Sequence, residues 1–444
     1  MPNPLDPANA LYREMRELAR RSFDHAMAEC SISRAMRRHL ELREDQLRIG
    51  HDIYDLQSFA SIHVVSIGKA GHSQAESLVE ITDRGLHGIV ACPSAPAAQV
   101  FGFRYFIGGH PMPNQDSFRA AEAILKLLGN SGPDTLTIFL ISGGASAIAE
   151  KPISLAITQD DVIATYQSLV HSGAPISAIN AVRKHLSAIK GGRMAHAAAP
   201  SHQISILVSD VPENALDALA SGPTMPDTTN IADCYAIADK YRLLPLLPAK
   251  VRRLFEERAL QETPKPGDAA FAQSRYLTIL SNATALKAAV EEAALGGFAV
   301  EVDNSCDDWD YADAADHLLS RLRVLRQGAS RVCLISGGEV TVKAGNDPGT
   351  GGRNQQFALH CAERIQGQPI TVLSAGTDGI DGNSHAAGAI ADGGTVVRAR
   401  EKGFDSTVAL RDLDAFPLFE AIGDAIVTGP TGNNVRDVRV LLAY

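Results

Sequence analysis

The chain is 444 residues long, 45% apolar and 21% charged, with a formal net charge of −10. This composition is globular, and its longest apolar runs, such as Leu136–Ile141 and Ile204–Val208, fall far short of the roughly 20 residues a spanning helix needs, so no membrane role is expected. The acidic balance disfavours a large phosphate-backbone footprint and with it nucleic acid as a partner, while leaving room for a small anionic ligand wherever basic residues converge.

The length suits two α/β domains. Met1 to Arg21 carries Pro2 and Pro4 and then an Arg-rich helical pattern, without the apolar core of a secretory signal. The six cysteines (Cys30, Cys92, Cys234, Cys306, Cys333 and Cys361) are scattered without a CxxC pair. A reducing cytoplasm is therefore expected, and a zinc site is not.

Along the chain, short β-branched or apolar runs end in Ser with Gly, Asp or Asn one or two residues on: His63–Gly68, Thr137–Gly143, Ile206–Asp210, Leu277–Asn282, Cys333–Gly337 and Val372–Gly376. Helical periodicity rich in Ala and Leu follows most of them. Continuous apolar runs alternating with amphipathic helices predict a parallel sheet covered on both faces, with ligands beyond the carboxyl ends of its strands. The competing reading of these Gly and Ser residues is simply tight strand-to-helix turns. The Pro- and Gly-rich stretch between about Tyr241 and Ser274 predicts a boundary, giving a first domain of residues 1–240 and a second of 241–444. The final strand, Asp437 to Leu442, is allowed to pack back on the first domain. Leu140-Ile-Ser-Gly-Gly144 reappears as Leu334-Ile-Ser-Gly-Gly338, which suggests that each domain contributes a Gly-rich strand end, Ser142, Gly143 and Gly144 in one and Gly337 and Gly338 in the other, to a shared cleft.

Ser66-Ile-Gly-Lys-Ala-Gly71 follows a strand and opens a helix, so the amides around Gly68 and Gly71 are expected to bind an anion with Lys69 at the mouth. It is not a Walker A loop, because His63 and Ala70 occupy the positions that motif gives to Gly and to Ser or Thr. Gly108-Gly-His-Pro-Met-Pro-Asn114 precedes a helix, and His110 reads as a turn histidine. Arg183, Lys184, Lys190 and Arg193 lie in NAVRKHLSAIKGGR, where basic residues either cap a helix end or neutralise a polyphosphate beside a cleft. Asp210, at the end of a buried strand, is equally a turn cap or a magnesium ligand or base. Ser336 to Gln356 is the densest stretch: Gly345, Gly349, Gly351 and Gly352 form a loop able to approach phosphate closely, and Arg353 offers a bidentate fork. Thr377-Asp-Gly-Ile-Asp-Gly382 sets two carboxylates, including Asp378, among glycines in a pattern suited to Mg²⁺ or a substrate hydroxyl, and lacks the calcium-loop pattern.

In this order SIGKAG, GGHPMPN, SGGASA, NAVRKHLSAIKGGRMA, SDVP, ASGPT, SGGEVTV, GTGGRNQ, GTDGIDG and TGPTGNNV resemble the MOFRL-type glycerate 2-kinases over nearly the whole chain. The resemblance implies two α/β domains, the first a Rossmann-like three-layer sandwich with a mostly parallel sheet, and an active site in the interdomain cleft that uses ATP and Mg²⁺ to convert D-glycerate to 2-phosphoglycerate. It implies Lys69, Arg353 and Asp210 as catalytic residues and Gly68, Gly71, Ser142, Gly143, Gly144, Lys190, Gly337, Gly338, Gly351 and Gly352 around the nucleotide. Arg183, Arg193 and Asn354 fall to the substrate, and Asp210 and Asp378 to the metal. A homodimer is compatible with it. Gln356, Asn433 and Glu213-Asn-Ala215 depart from the family pattern, which touches substrate scope and metal geometry. Two other readings compete: an NAD(P)-dependent hydroxypyruvate reductase, although no GxGxxG occurs in the chain, and a non-catalytic sensor of nucleotide or sugar acid.

Overall fold

A computed structural model describes residues 7–343, 345 and 348–444. The chain divides into two compact α/β units, one formed by Met1–Ser31 with Leu280–Tyr444 and the other by Ile32–Ile279. The boundary expected near residue 240 therefore falls some forty residues later. The Pro-rich stretch after Tyr241 is not a linker. Leu243, Leu247, Val251, Phe255 and Leu260 are buried together with Leu169, Val182 and Cys234, so this segment belongs to the core of the central unit. The first helix, Pro7–Glu29, is part of the other unit, where it packs against the helix Asn282–Leu295.

The central unit begins with a three-stranded antiparallel meander, β1 (Leu40–Arg43), β2 (Gln46–Ile49) and β3 (Asp52–Asp55). Its main sheet holds β4 (Ser61–Ile67), β5 (His87–Cys92), β6 (Phe103–Ile107), β7 (Thr135–Ile141), β8 (His202–Val208) and β9 (Ser274–Leu280) in the order β6-β5-β4-β7-β8-β9. The pairs β4–β5, β4–β7, β5–β6 and β7–β8 are all parallel, as the continuous apolar runs predict. Every residue of β7 is buried, which leaves no polar face to this strand and requires cover on both sides. One cover is the helix Gln115–Leu128, started by a reciprocal Asn114–Ser117 capping box, whose Ala120, Ala121, Ile124 and Leu128 pack on Ile67, Ile89, Phe139 and Ile141.

The second unit is built on β10 (Ala299–Val302), β11 (Val332–Ser336), β12 (Ile370–Gly376), β13 (Gly388–Asp392), β14 (Ala425–Ile426) and β15 (Asp437–Ala443), ordered β10-β11-β15-β12-β13-β14. The parallel arrangement expected for its runs holds only for β10–β11. β15 inserts between β11 and β12 and runs antiparallel to both, so this sheet is mixed. The final strand is thus central to its own unit's sheet. A strand buried on both faces carries the same apolar pattern whether its neighbours run parallel or antiparallel, so composition does not distinguish the two. Among the described residues, no helix is long and apolar enough to cross a membrane.

Candidate functional site

In the central unit the carboxyl ends of β4, β7 and β8 bring Lys69, Ser142-Gly143-Gly144 and Asp210 to one place. The amide of Lys69 donates to the carbonyl of Gly143 at 2.9 Å, and that of Ala70 to Ser142 Oγ at 3.0 Å. A Cβ on Gly68, whose φ is +126°, would lie 2.2 Å from Ser142 Oγ, so the two loops approach as only glycine permits. On the other side, a Cβ on Gly143 would lie 2.1 Å from Asp210 Oδ2, and one on Gly144 would lie 2.9 Å from His110 Cδ2 and 3.4 Å from Lys69 Cγ. A lysine stem, an imidazole and a carboxylate therefore surround two successive glycines. Burial and the charge of Lys69 push the His110 imidazole below its usual range, so it is neutral at physiological pH.

The amide cradle expected in Ser66–Gly71 is not available. Gly68 N–H donates to Ala91 O, Lys69 N–H to Gly143 O, Ala70 N–H to Ser142 Oγ and Gly71 N–H to Gly68 O. Gly68, Gly71 and Ser142 hold the strand ends together.

The basic stretch after Asn180 resolves into separate roles. Lys190, 1% exposed, pairs with buried Glu150 and donates to Tyr166 Oη at 3.0 Å, so its expected place at the nucleotide is corrected to a place inside the core. Lys184 pairs with Asp217 and Asp227 at 3.0 and 3.1 Å. Arg193 donates to the carbonyls of Gln261 and Glu262. Arg183 forms no ion pair among the described residues and lies 4.4 Å over the Tyr166 ring. One turn earlier on the same helix, Asn180 Oδ1 accepts from Ser221 Oγ at 3.5 Å, and Ser221 Oγ contacts Ser146 Oγ at 3.1 Å. Ala220, Ser221 and Gly222 all have left-handed φ, 54°, 61° and 59°. Two non-glycine residues in that region form a strained turn of the kind that collects at functional sites. His110, read from the sequence as a turn histidine, is set by the fold beside Gly144.

In the other unit, Arg353 opens the helix Arg353–Arg364 and is held by two carboxylates, Asp437 at 2.7 Å and Glu339 at 2.9 Å. Burial opposes its charge, and Asp437 and Glu339 override that opposition and raise its pKa. Asp437 is fully buried and also neighbours buried Arg439, whose guanidinium donates to Gly337 O at 2.8 Å. Asp381 is 2% exposed and accepts the amides of Asn354 and Gln355 at 3.0 and 2.8 Å. Burial pushes its carboxyl up to about 7, and the charge of Asp437 adds to this push. Asp378 Oδ1 accepts from Ile380 N–H at 3.2 Å in a local turn.

Several expectations in this unit change. Asn354 is buried and accepts from Ser374 Oγ at 2.6 Å, which makes it a fixture of the fold and removes it from the substrate's reach. The amides of Gly337 and Gly338 go to Asn304 and Asn282, and those of Gly349, Thr350 and Gly351 to Asp412 O, Asp414 Oδ1 and Asn383 Oδ1. These Gly-rich segments are internally bonded and do not present a phosphate cradle. A Cβ on Gly352 would lie 2.4 Å from Asp381 Oδ1, so that glycine serves a close approach.

A parallel sheet that gathers a lysine, a neutral imidazole and a carboxylate at its strand ends, joined in the same chain to a second α/β unit, defines an α/β enzyme handling a small molecule. Comparison with known proteins sharpens the class. Residues 18–256 match the family model described as Domain of unknown function (DUF4147), and residues 332–437 match the MOFRL family. A D-glycerate 2-kinase of Thermotoga maritima is 30% identical over 84% of this chain and 89% of its own. A putative hydroxypyruvate reductase of Agrobacterium vitis is 37% identical over 85% of this chain and 86% of its own. The crystal structure of a Thermotoga maritima glycerate kinase superposes with a TM-score of 0.84 at 28% identity, covering 97% of this chain and 100% of that one. The chain belongs to the DUF4147–MOFRL family of glycerate kinases.

Proposed function

We propose that this protein transfers the γ-phosphoryl group of ATP to the 2-hydroxyl of D-glycerate, giving 2-phosphoglycerate and ADP. The observation that carries this reading is the cluster of Lys69, His110 and Asp210 around Gly143 and Gly144 in a chain similar over its length to glycerate 2-kinases. In-line transfer forms a bond from the glycerate oxygen to phosphorus and breaks the bond to the bridging oxygen of ADP. It needs positioning and charge stabilisation more than covalent chemistry. Lys69 neutralises charge on the transferred group, with Arg353 proposed as a second cation. Asp210 accepts the hydroxyl proton or holds the metal, with Asp378 as the other metal candidate, and Arg183 binds the glycerate carboxylate.

Among the described residues no group of three or more His, Cys, Asp or Glu is placed to hold a metal ion. Asp210, at the end of β8, and Asp378 are the carboxylates proposed for Mg²⁺, an ion held by one or two carboxylates together with substrate phosphates and water. When bound, Mg²⁺ would supply neutralising charge to the phosphates. A cytoplasmic setting is proposed on the six free cysteines, all buried.

The name of the Agrobacterium relative favours a second reading, reduction of hydroxypyruvate by a nicotinamide cofactor. The internally bonded Ser66–Gly71 turn weighs against it, because a dinucleotide fold needs that turn's amides for the pyrophosphate. Incubation with D-glycerate, ATP and Mg²⁺, beside hydroxypyruvate with NADH or NADPH, separates the two readings.

A further inference from the structure

Of Arg183, Lys184, Lys190 and Arg193, the last three are taken up by carboxylates or carbonyls of the protein. Arg183 instead meets an aromatic face and, among the described residues, no acceptor. Its guanidinium lies 4.4 Å from the centre of the Tyr166 ring, and its Nε is buried without a hydrogen-bond partner. The ring face is what offsets the dehydration of this end of the charge. The residue as a whole is half-buried. Asn180, one turn earlier on the same helix, reaches Ser221, which contacts Ser146 just beyond Gly144, so this helix runs beside the glycine turn of the site.

The ring is itself fixed from its other side. Tyr166 is buried in a core with Ile157, Val162, Leu169 and Val182. Its hydroxyl donates to Glu150 and accepts from Lys190 Nζ at 3.0 Å, and Glu150 also accepts from Ser187 Oγ at 2.6 Å. Burial, and then the charge of Glu150, push that hydroxyl well above the usual tyrosine range, so it stays protonated and remains a donor. Lys190 offsets the charge of Glu150 and so weakens its pull on Arg183. A guanidinium laid on a fixed ring, with no carboxylate of the described residues paired to it, is preorganised for a planar carboxylate brought by a ligand.

We propose that Tyr166 is a positioning residue for the hydroxy-acid substrate, its ring holding the Arg183 guanidinium in the orientation that binds the substrate carboxylate. This rests on the reading of Arg183 as the carboxylate ligand. The test measures KM for D-glycerate and for ATP on the full-length protein, with calorimetric titration of D-glycerate as a readout independent of turnover. Tyr166→Leu and Tyr166→Phe both lose the hydroxyl, but only Tyr166→Leu loses the ring. Tyr166→Leu should weaken D-glycerate by at least about 10-fold with the KM for ATP within about 2-fold, while Tyr166→Phe stays within about 2-fold of the parent for both. Tyr166→Met makes the same comparison where Tyr166→Leu folds poorly. On an Arg183→Ala background, Tyr166→Leu should cost almost nothing further. Equal losses in Tyr166→Leu and Tyr166→Phe, an equal rise in both KM values, or an undiminished effect on the Arg183→Ala background would overturn the proposal while leaving Arg183 its role. Arg183→Ala binding D-glycerate as the parent does would remove the carboxylate reading and this inference with it. Ring-dependent binding of D-glycerate without phosphorylation would support the role of Tyr166 and remove the kinase reading.

Discussion

Gly143 and Asp210 lie against each other so closely that a single methyl on Gly143 would fall 2.1 Å from Asp210 Oδ2. The end of β7 thereby fixes where the carboxylate at the end of β8 points. Gly143→Ala should displace Asp210 and lower kcat by at least about 10-fold while leaving the circular dichroism spectrum intact, on the scale seen when a reacting group is misplaced by about 1 Å. Adding Gly143→Ala to Asp210→Ala should cost little more than Asp210→Ala alone. Equal losses on both backgrounds would show that the glycine acts by another route.

Lys69 and Arg353 carry similar expected chemistry in different settings, so their variants should separate in stability. Lys69→Ala should reduce kcat by at least about 10²-fold with the circular dichroism spectrum intact. Arg353→Ala should reduce kcat comparably and also destabilise the protein by about 3–5 kcal/mol, because Asp437 is fully buried and loses its principal partner. Urea unfolding of both variants measures this difference.

Much of this was legible in the chain. The apolar runs ending at Ser66-Ile-Gly68, Ser142-Gly143 and Ser209-Asp210 predict parallel strands, and β4, β7 and β8 run parallel. What stayed hidden concerns partners far apart in sequence. Nothing near Arg353 announces Asp437, 84 residues away, and nothing in an Ile-Lys-Gly-Gly string tells a core lysine from a ligand's lysine until Glu150 and Tyr166 are placed beside it. Gly68, Gly143 and Gly352 provide close approach, whereas their sequence pattern suggests open amides.

The Asp381 carboxyl gives a pH signature. Its folded pKa, raised to about 7 by burial, exceeds the roughly 3.9 of an unfolded aspartate. Between these values the folded state binds the proton and the unfolded state does not, so this group's stabilisation is full at low pH and is lost as pH rises through about 7. Relative to Asp381→Asn, the parent should therefore lose stability from pH 4.5 to 8, by up to about 1.4 kcal/mol per pH unit. Parallel melting curves for the two proteins across that range would contradict the assignment.

Lys190 tests the reassignment of a cation from ligand to core. Lys190→Ala leaves Glu150 buried without its ion-pair partner and should cost about 3–5 kcal/mol in urea unfolding. The KM for ATP of the folded fraction should stay within about 2-fold of the parent. A large rise in that KM with unchanged stability would return Lys190 to the nucleotide.

The central claim is tested most directly by incubating the purified protein with D-glycerate, ATP and Mg²⁺ and resolving 2- from 3-phosphoglycerate, with hydroxypyruvate and NADH or NADPH in a parallel reaction. The account predicts metal-dependent formation of 2-phosphoglycerate with stoichiometric ADP, lost in Lys69→Ala, and no nicotinamide oxidation. Nicotinamide oxidation without phosphoglycerate would contradict it.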